Sequence, residues 1–414
     1  MTETVKHTHY EASRIPWTWT FFLVLALGVG DSTAGAQPGP VTPYQFGAVG
    51  DGFIDDSTAV QAAIDTGDGV DLAGGKFKIT QVLRIASGSL IEGPGTLIQA
   101  FDLKPPSSPQ TAHALLAGGG NNIRLANFRI AKTSGDGSYS NGVVLDNGKE
   151  IVLHGLEISG YSARYGIHLI EVSNFEVSHC YIHDFMMNTS ADMIEDSPAG
   201  LRITRSHHGI VSNNRILRIQ VGPVGRESLS PIRPEYGKQG YQSDGMTIQE
   251  SDRVTIEGNV CETAGEGIDL LLSRSCILSG NVISDNWLLG VKMLGVAFTT
   301  ATDNHISDCY QGIQVAYHPG FETEASGNVL NGNLFRDIGS PGSFGVPASQ
   351  RSFGGIYGIH LRNVGEPDGC RYNMVSDNVI VDTQVEKTTE AGVRNDAGET
   401  NRIEDNIFTD QVTE

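Results

Sequence analysis

"SDGMTIQESDRVTIEGNV" (residues 243–260), "GEGIDLLLSRSCILSGNV" (265–282) and "LLGVKMLGVAFTTATDNHI" (288–306) are one phrase written three times. Each opens on a Gly inside a short apolar strand and closes on an Asn that leads into the next strand. Gly245, Gly267, Gly290 and Gly312 stand 22, 23 and 22 residues apart, and Asn259, Asn281 and Asn304 stand 22 and 23 apart. A fixed period of this length, filled with short β-type runs, signals a β-solenoid, in which no repeat buries its apolar face alone and each stacks on the next. The Gly marker also occurs at Gly142, Gly166, Gly200, Gly358 and Gly392, and the Asn marker at Asn214, Asn333, Asn378 and Asn406. The expectation is an all-β, single-stranded parallel β-helix of roughly ten turns, with Asn at bends that tolerate left-handed backbone and no catalytic role for those asparagines. Where the spacing lengthens, at about 184–198, 218–242 and 338–355, Pro-, Gly- and Ser-rich insertions are expected to project from one edge and to carry Arg226, Arg233, Lys238 and Arg351 to a binding wall.

Composition agrees with many tight turns: Gly is 51 of 414 residues, well above the usual ~7%. The formal charge of −20 argues against nucleic acid as a partner and suits a soluble exported protein. Residues 15–30, "IPWTWTFFLVLALGVG", form the only long apolar run; Lys6 and Arg14 precede it and Ala34–Gly35–Ala36 follows it. That pattern reads as an export signal over 1–36, too short for an ordinary membrane span. The β-helix domain then covers 37–414, and the location is secreted or periplasmic, with no stable membrane insertion after cleavage. The five cysteines lack metal-site spacing and read as buried small side chains rather than a disulfide scaffold.

"YQFGAVGDGFIDDSTAVQAAID" (44–65) places Asp55, Asp56 and Ser57 before a helix whose apolar face is Ala59, Val60, Ala63 and Ile64. This stretch resembles the opening segment of the pectate-lyase-like right-handed β-helix superfamily: a short strand, the "GAVGDG" turn and a cap helix. The resemblance implies a right-handed coil whose first turn is plugged by that helix, as an open solenoid end requires.

In a solenoid, equivalent positions of successive coils stack about 4.8 Å apart, and side chains alternate in and out. Aligned on the Gly marker, one outward column reads Val144, His168, Arg202, Thr247, Asp269, Lys292, Gln314, His360, Arg394. The position before Gly reads Asn141, Tyr165, Ala199, Asp244, Glu266, Leu289, Gln311, Tyr357, Ala391. The middle coils therefore bring Asp244, Glu266, Asp269 and Lys292 together, with His168 and Arg202 on the earlier side and Gln314 on the later. His360 and Arg394 read as ordinary surface residues.

"SDGM", "GEGID" and "LGVKMLG" are similar to the site stretches of the family-9 pectate lyases. That resemblance implies Asp244, Glu266 and Asp269 as Ca²⁺ ligands, Lys292 as the catalytic base and an acidic polysaccharide as substrate. Gly265 stands where that family has a carboxylate. The chemistry is β-elimination: a base removes the proton α to a uronate carboxyl group, and Ca²⁺, Lys or Arg neutralises the carbanion. Arg202 would bind the substrate carboxylate, and His168 and Gln314 would line the groove. Carboxylates alone raise a lysine pKa, so Lys292 serves as base only with a cation present; otherwise it pairs Asp269. Three other readings use the same groove. Asp244 and Glu266 could act as acid and base in glycoside hydrolysis, although the polygalacturonase "HG" is here Leu289–Gly290. Mannuronan C5-epimerases share the fold and a tail like "YGIHLRNVG" (357–365), but their "DPH" is absent, the nearest stretch carrying His168. A non-catalytic carbohydrate-binding solenoid is the last.

Overall fold

The structure, a computed structural model, describes residues 39–101, 114–132, 140–161, 164–187, 198–221, 243–321, 323–344, 355–365 and 368–410. The expected leader over 1–36 lies outside them, as do Arg226, Arg233, Lys238 and Arg351 and most of the three insertions. Among the described residues no helix is long and apolar enough to cross a membrane.

The chain winds as a parallel β-helix with three ladders of strands. One is a sheet of 13 strands running from Asp51–Asp55 to Ile407–Thr409. The coil count thus exceeds the ten or so expected, because the first coils, between 51 and 132, lack the Gly marker. A second ladder contains Tyr165–Ser178, Ala199–Thr204, Asp244–Gln249, Glu266–Leu271, Leu289–Leu294, Gln311–Tyr317, Tyr357–Asn363 and Ala391–Asp396, each paired in parallel with the next. The third carries the strand that follows in each coil, such as Asp252–Glu257 on Ile277–Ser279.

The register is that of the Gly alignment. Asp244 pairs with Glu266 and Thr247 with Asp269; one coil on, Glu266 pairs with Leu289 and Asp269 with Lys292. Between these outward positions the inward ones, Met246 and Ile248, Ile268 and Leu270, Val291 and Met293, are fully buried in one continuous core. The marker glycines are needed for approach. A Cβ on Gly245 would lie 2.5 Å from the carbonyl oxygen of Gly267, and one on Gly267 would lie 2.5 Å from Ile283 Cγ2. The column is therefore narrow there by construction.

The opening helix is Ser57–Asp65, and its buried face, Ala59, Val60, Ala63 and Ile64, is the one the periodicity gives. Val60, Ala63 and Ile64 join the coil core, so the helix closes the first turn. Asp55 accepts the Ser57 N–H at 3.0 Å, whereas Asp56 accepts the N–H groups of Val49 and Gly50 at 2.7 and 3.0 Å. The second carboxylate thus pins the "GAVGDG" turn rather than the helix.

The asparagines form a ladder but do not themselves adopt left-handed backbone. That conformation belongs to the preceding residue, such as Asn213, Gly258, Gly280 and Asp303. Each ladder amide instead bridges coils. Asn259 donates its N–H and Nδ2 to Asn281 Oδ1, both at 3.0 Å, and Asn281 donates likewise to Asn304 at 3.1 and 2.9 Å and to the Ile256 carbonyl at 3.0 Å. Replacing Asn281 by Ala strands buried donors and a carbonyl, each costing about 1–3 kcal/mol. Urea unfolding should show a loss of at least ~2 kcal/mol; an unchanged midpoint would reject this role.

All five cysteines are free and buried, as their spacing suggests.

Candidate active site

Three consecutive coils supply the polar centre. Lys292 Nζ donates to Glu266 Oε2 at 2.8 Å and to Asp269 Oδ2 at 3.0 Å. Thr247 Oγ1 donates to Asp244 Oδ2 at 2.6 Å. One carboxylate oxygen from each of Asp244, Glu266 and Asp269 lies within 4.8 Å of the others. Stacking in register causes this convergence: Glu266 sits directly over Asp244, and Lys292 directly over Asp269.

The column faces away from the coil core, yet it is not the solvated surface that alternation predicts. Asp244, Glu266 and Asp269 are only 1–2% exposed, and the Lys292 side chain is 15% exposed. His168, Arg202 and Gln314, expected to line the groove, and His360, expected at the surface, are buried as well. Alternation settles which side of a strand a residue takes, not what packs over that side.

Burial and the negative charges of Glu266 and Asp269 push the Asp244 carboxyl well above its ordinary range; the opposing pull of Lys292 is smaller. For Lys292, burial alone would lower the pKa. The carboxylates, Asp269 foremost, outweigh it and hold the ammonium well above its ordinary value. Lys292 is thus held as a cation, and Asp244 holds its proton more tightly than an ordinary carboxyl. Asp244 Oδ1 and Asp269 Oδ1 are buried without a hydrogen-bond partner among the described residues.

That is a donor set suited to a hard cation. Ca²⁺–oxygen distances run about 2.3–2.6 Å, so two ligands of one ion lie at most about 5 Å apart, and these three carboxylates satisfy that limit. Gly265, where the family-9 pattern has another carboxylate, contributes only backbone; its N–H donates to Ser243 Oγ at 2.9 Å.

The expected substrate-binding residues form a separate group. Arg202 donates to the Tyr165 hydroxyl at 3.1 Å and to Gln249 Oε1, and its guanidinium lies over the Tyr165 ring. His168 Nε2 is 3.1 Å from Thr204 Oγ1, and burial with the Arg202 and Arg164 charges holds its pKa well below the usual value. The Asp244–Gln249 strand, with Thr247, separates this group from Asp269. Gln314 adjoins Lys292 in register and donates to Gln311 Oε1 at 3.1 Å. Sequence reasoning passed over Thr247 and Tyr165. Both stand in the aligned columns, but neither residue type announces a role until its partner's position is known.

The family model of the right handed beta helix region matches residues 113–224 and 238–352, more than half of the chain. Among curated proteins, the pre-neck appendage protein of Bacillus phage B103 is 24% identical over 314 residues, spanning 72% of this chain and 30% of that protein. The chain thus spans less than a third of that relative's length. Among solved structures, pre-mature bacteriophage phi29 gene product 12 superposes with a TM-score of 0.56 at 14% identity, covering 89% of this chain and 52% of that one. The Azotobacter vinelandii mannuronan C-5 epimerase AlgE6 A-module gives 0.52 at 14%, over 90% and 100%. DFA-IIIase from Arthrobacter chlorophenolicus A6 gives 0.51 at 11%, over 87% and 93%. At these identities the likeness is one of fold.

Proposed function

This chain belongs to the right-handed β-helix family, and from that premise we propose that it is an exported enzyme acting on an acidic polysaccharide, with Asp244, Glu266, Asp269 and Lys292 as its centre. One observation carries the reading: three buried carboxylates and a lysine converge on consecutive coils, with two carboxylate oxygens left unpartnered. A scaffold has no use for such a cluster, since apolar side chains of similar volume would pack there at no desolvation cost. The A-module of a mannuronan epimerase is built on the same kind of coil, which supports a polymeric uronate as substrate.

The preferred reaction is β-elimination. Arg202 binds the uronate carboxylate, and Lys292 faces the carbon that loses its proton. A divalent cation such as Ca²⁺, held by Asp244, Glu266 and Asp269, would supply positive charge to the substrate carboxylate and draw these carboxylates away from the Lys292 ammonium. Without that charge Lys292 stays protonated and serves only to stabilise negative charge. A second reading is favoured by the raised pKa of Asp244: a buried carboxyl that holds its proton more tightly beside Glu266 and Asp269 has the makings of a general acid in glycoside hydrolysis.

Incubation of the purified chain with polygalacturonate and with alginate separates these. Elimination should give an unsaturated product that absorbs in the ultraviolet. New reducing ends without absorbance mean hydrolysis, and altered uronate composition at constant chain length means epimerisation. No change in any of the three rejects the enzyme reading and leaves a binding solenoid. Asp244→Asn is expected to lower turnover by at least ~100-fold in the first two cases. Its thermal stability at neutral pH should not fall, because the fold disfavours an ionised Asp244.

A further inference from the structure

The tetrapeptide Tyr-Gly-Ile-His occurs at 165–168 and again at 357–360. In both cases a strand beginning 34 residues later reads Ala-Gly-Leu/Val-Arg, at 199–202 and 391–394. The paired coils stack Tyr165 on Ala199 and His168 on Arg202, and likewise Tyr357 on Ala391 and His360 on Arg394. A two-coil unit is thus written twice, and the geometry of its tyrosine and histidine repeats, whereas Arg202 donates to the Tyr165 hydroxyl and Arg394 pairs with Asp396. The tyrosine and histidine rings meet edge to face with centroids 4.8 Å apart in both, at 65° and 68°. Each histidine places Nε2 3.1 Å from a polar atom of the next coil, Thr204 Oγ1 or Asp396 Oδ2, and both residues stand five positions after the coil's alanine. Each leaves Nδ1 buried with no hydrogen-bond partner among the described residues. Burial lowers the pKa of both rings, so both are neutral near pH 7. Asp396, whose pKa is lowered by His360 and Arg394 against its partial burial, accepts only; His360 therefore carries its proton on Nε2 and presents a lone pair at Nδ1.

An aromatic pair needed for packing alone would not keep an unsatisfied acceptor, which costs about 1–3 kcal/mol. The two histidines are also symmetrically placed. His168, Arg202, Thr247 and Asp269 are successive rungs, and so are Asp269, Lys292, Gln314 and His360. At about 4.8 Å per rung, the two histidines flank Asp269 at about 14 Å on either side along the coil axis, while Arg202 stands two rungs before Asp269 and Arg394 four rungs after it. The later unit is the open one: Tyr357 is half-buried, and the Arg394 side chain is 53% exposed. Its ion pair with Asp396 is open to solvent and weak, so the guanidinium is free to be recruited.

We propose that Tyr357 and Arg394, with His360 positioning the tyrosine, form a second saccharide subsite three to four coils beyond the centre, which holds a distal unit of the same uronate chain. The half-buried Tyr357 ring packs against the sugar face and the exposed Arg394 meets the uronate carboxylate, while the buried His360 positions the Tyr357 ring. This assignment rests on the reading of the substrate as an acidic polymer and adds that the polymer lies along the coil axis.

Binding to full-length Asp244→Asn protein tests it, with galacturonate and mannuronate oligomers from dimer to octamer titrated by calorimetry. Adding Arg394→Ala should weaken the longest oligomers about tenfold, the loss expected of one charge-assisted hydrogen bond, and leave the shortest that bind unchanged. Arg394 is exposed, so that variant keeps the test independent of any packing defect. An equal loss at every length, no loss at any length, or no binding of either series overturns the subsite. Product formation by the unaltered chain is scored separately. Length-dependent binding without turnover keeps the subsite and sinks the catalytic reading; turnover without length-dependent loss does the reverse.

Discussion

Replacing Lys292 by Met is expected to cost about 3–5 kcal/mol of folding free energy, the usual consequence of breaking a buried ion pair by removing one partner. Met keeps most of the volume, so the loss is electrostatic. Lys292 bridges both Glu266 and Asp269. Without it three carboxyl groups share a space that is 1–2% exposed. Guanidinium unfolding at pH 7 measures the effect, and adding Glu266→Gln and Asp269→Asn to the same chain should recover most of it. A single variant as stable as the parent would show that the bridge contributes nothing.

The pH dependence has a definite sign. Lys292 has a raised folded pKa, so its contribution is complete below the ordinary ammonium pKa and disappears as pH rises through the raised value. Asp244 is also raised, so its contribution is present below the ordinary carboxyl pKa and is lost as pH rises through its folded value. Asp244→Asn should therefore gain on the parent protein as pH rises through that interval, while the Lys292 variants lose stability throughout the neutral range.

The coil was legible because its constraints are local and periodic. Gly245 and Gly267 must be glycine where coils approach, and Met246, Ile268 and Val291 must be apolar beside them. Both survive in a single sequence as spacing. The same spacing placed Asp244, Glu266, Asp269 and Lys292 on adjacent rungs before any coordinates. Burial was not legible, because what covers an outward column is set by residues far along the chain, and no periodicity reports it. The protonation states of Lys292 and Asp244 depend on that burial and followed only from geometry. Tyr357 and His360 were visible as a repeated word, yet a Gly marker flanked by ordinary residues looks like mere repetition. Only the recurrence of the whole two-coil unit, with its unpartnered Nδ1 atoms, sets it apart from an ordinary pair of coils.

Removal of divalent cations is expected to lower elimination activity by at least ~1000-fold. The argument is one of protonation. An amine with a pKa at or above about 10.5 is neutral in fewer than about one molecule in 10³ at pH 7. Lys292, bonded to Glu266 and Asp269 at 2.8 and 3.0 Å, lies above that ordinary value. As a base it is therefore nearly silent while those carboxylates hold it, and becomes competent only when their charge is engaged elsewhere. EDTA should abolish growth of the unsaturated product, and excess Ca²⁺ should restore it. Lys292→Ala in excess Ca²⁺ should stay inactive even where the variant is folded, as judged by circular dichroism. Hydrolysis with Asp244 as general acid makes the opposite prediction, since burial and the neighbouring carboxylates, not a cation, raise its pKa. Elimination that proceeds undiminished in EDTA would remove Lys292 from the role of base. The neutral His168 beside Arg202 would then be the next group to test, because its low pKa leaves it unprotonated without a metal's help.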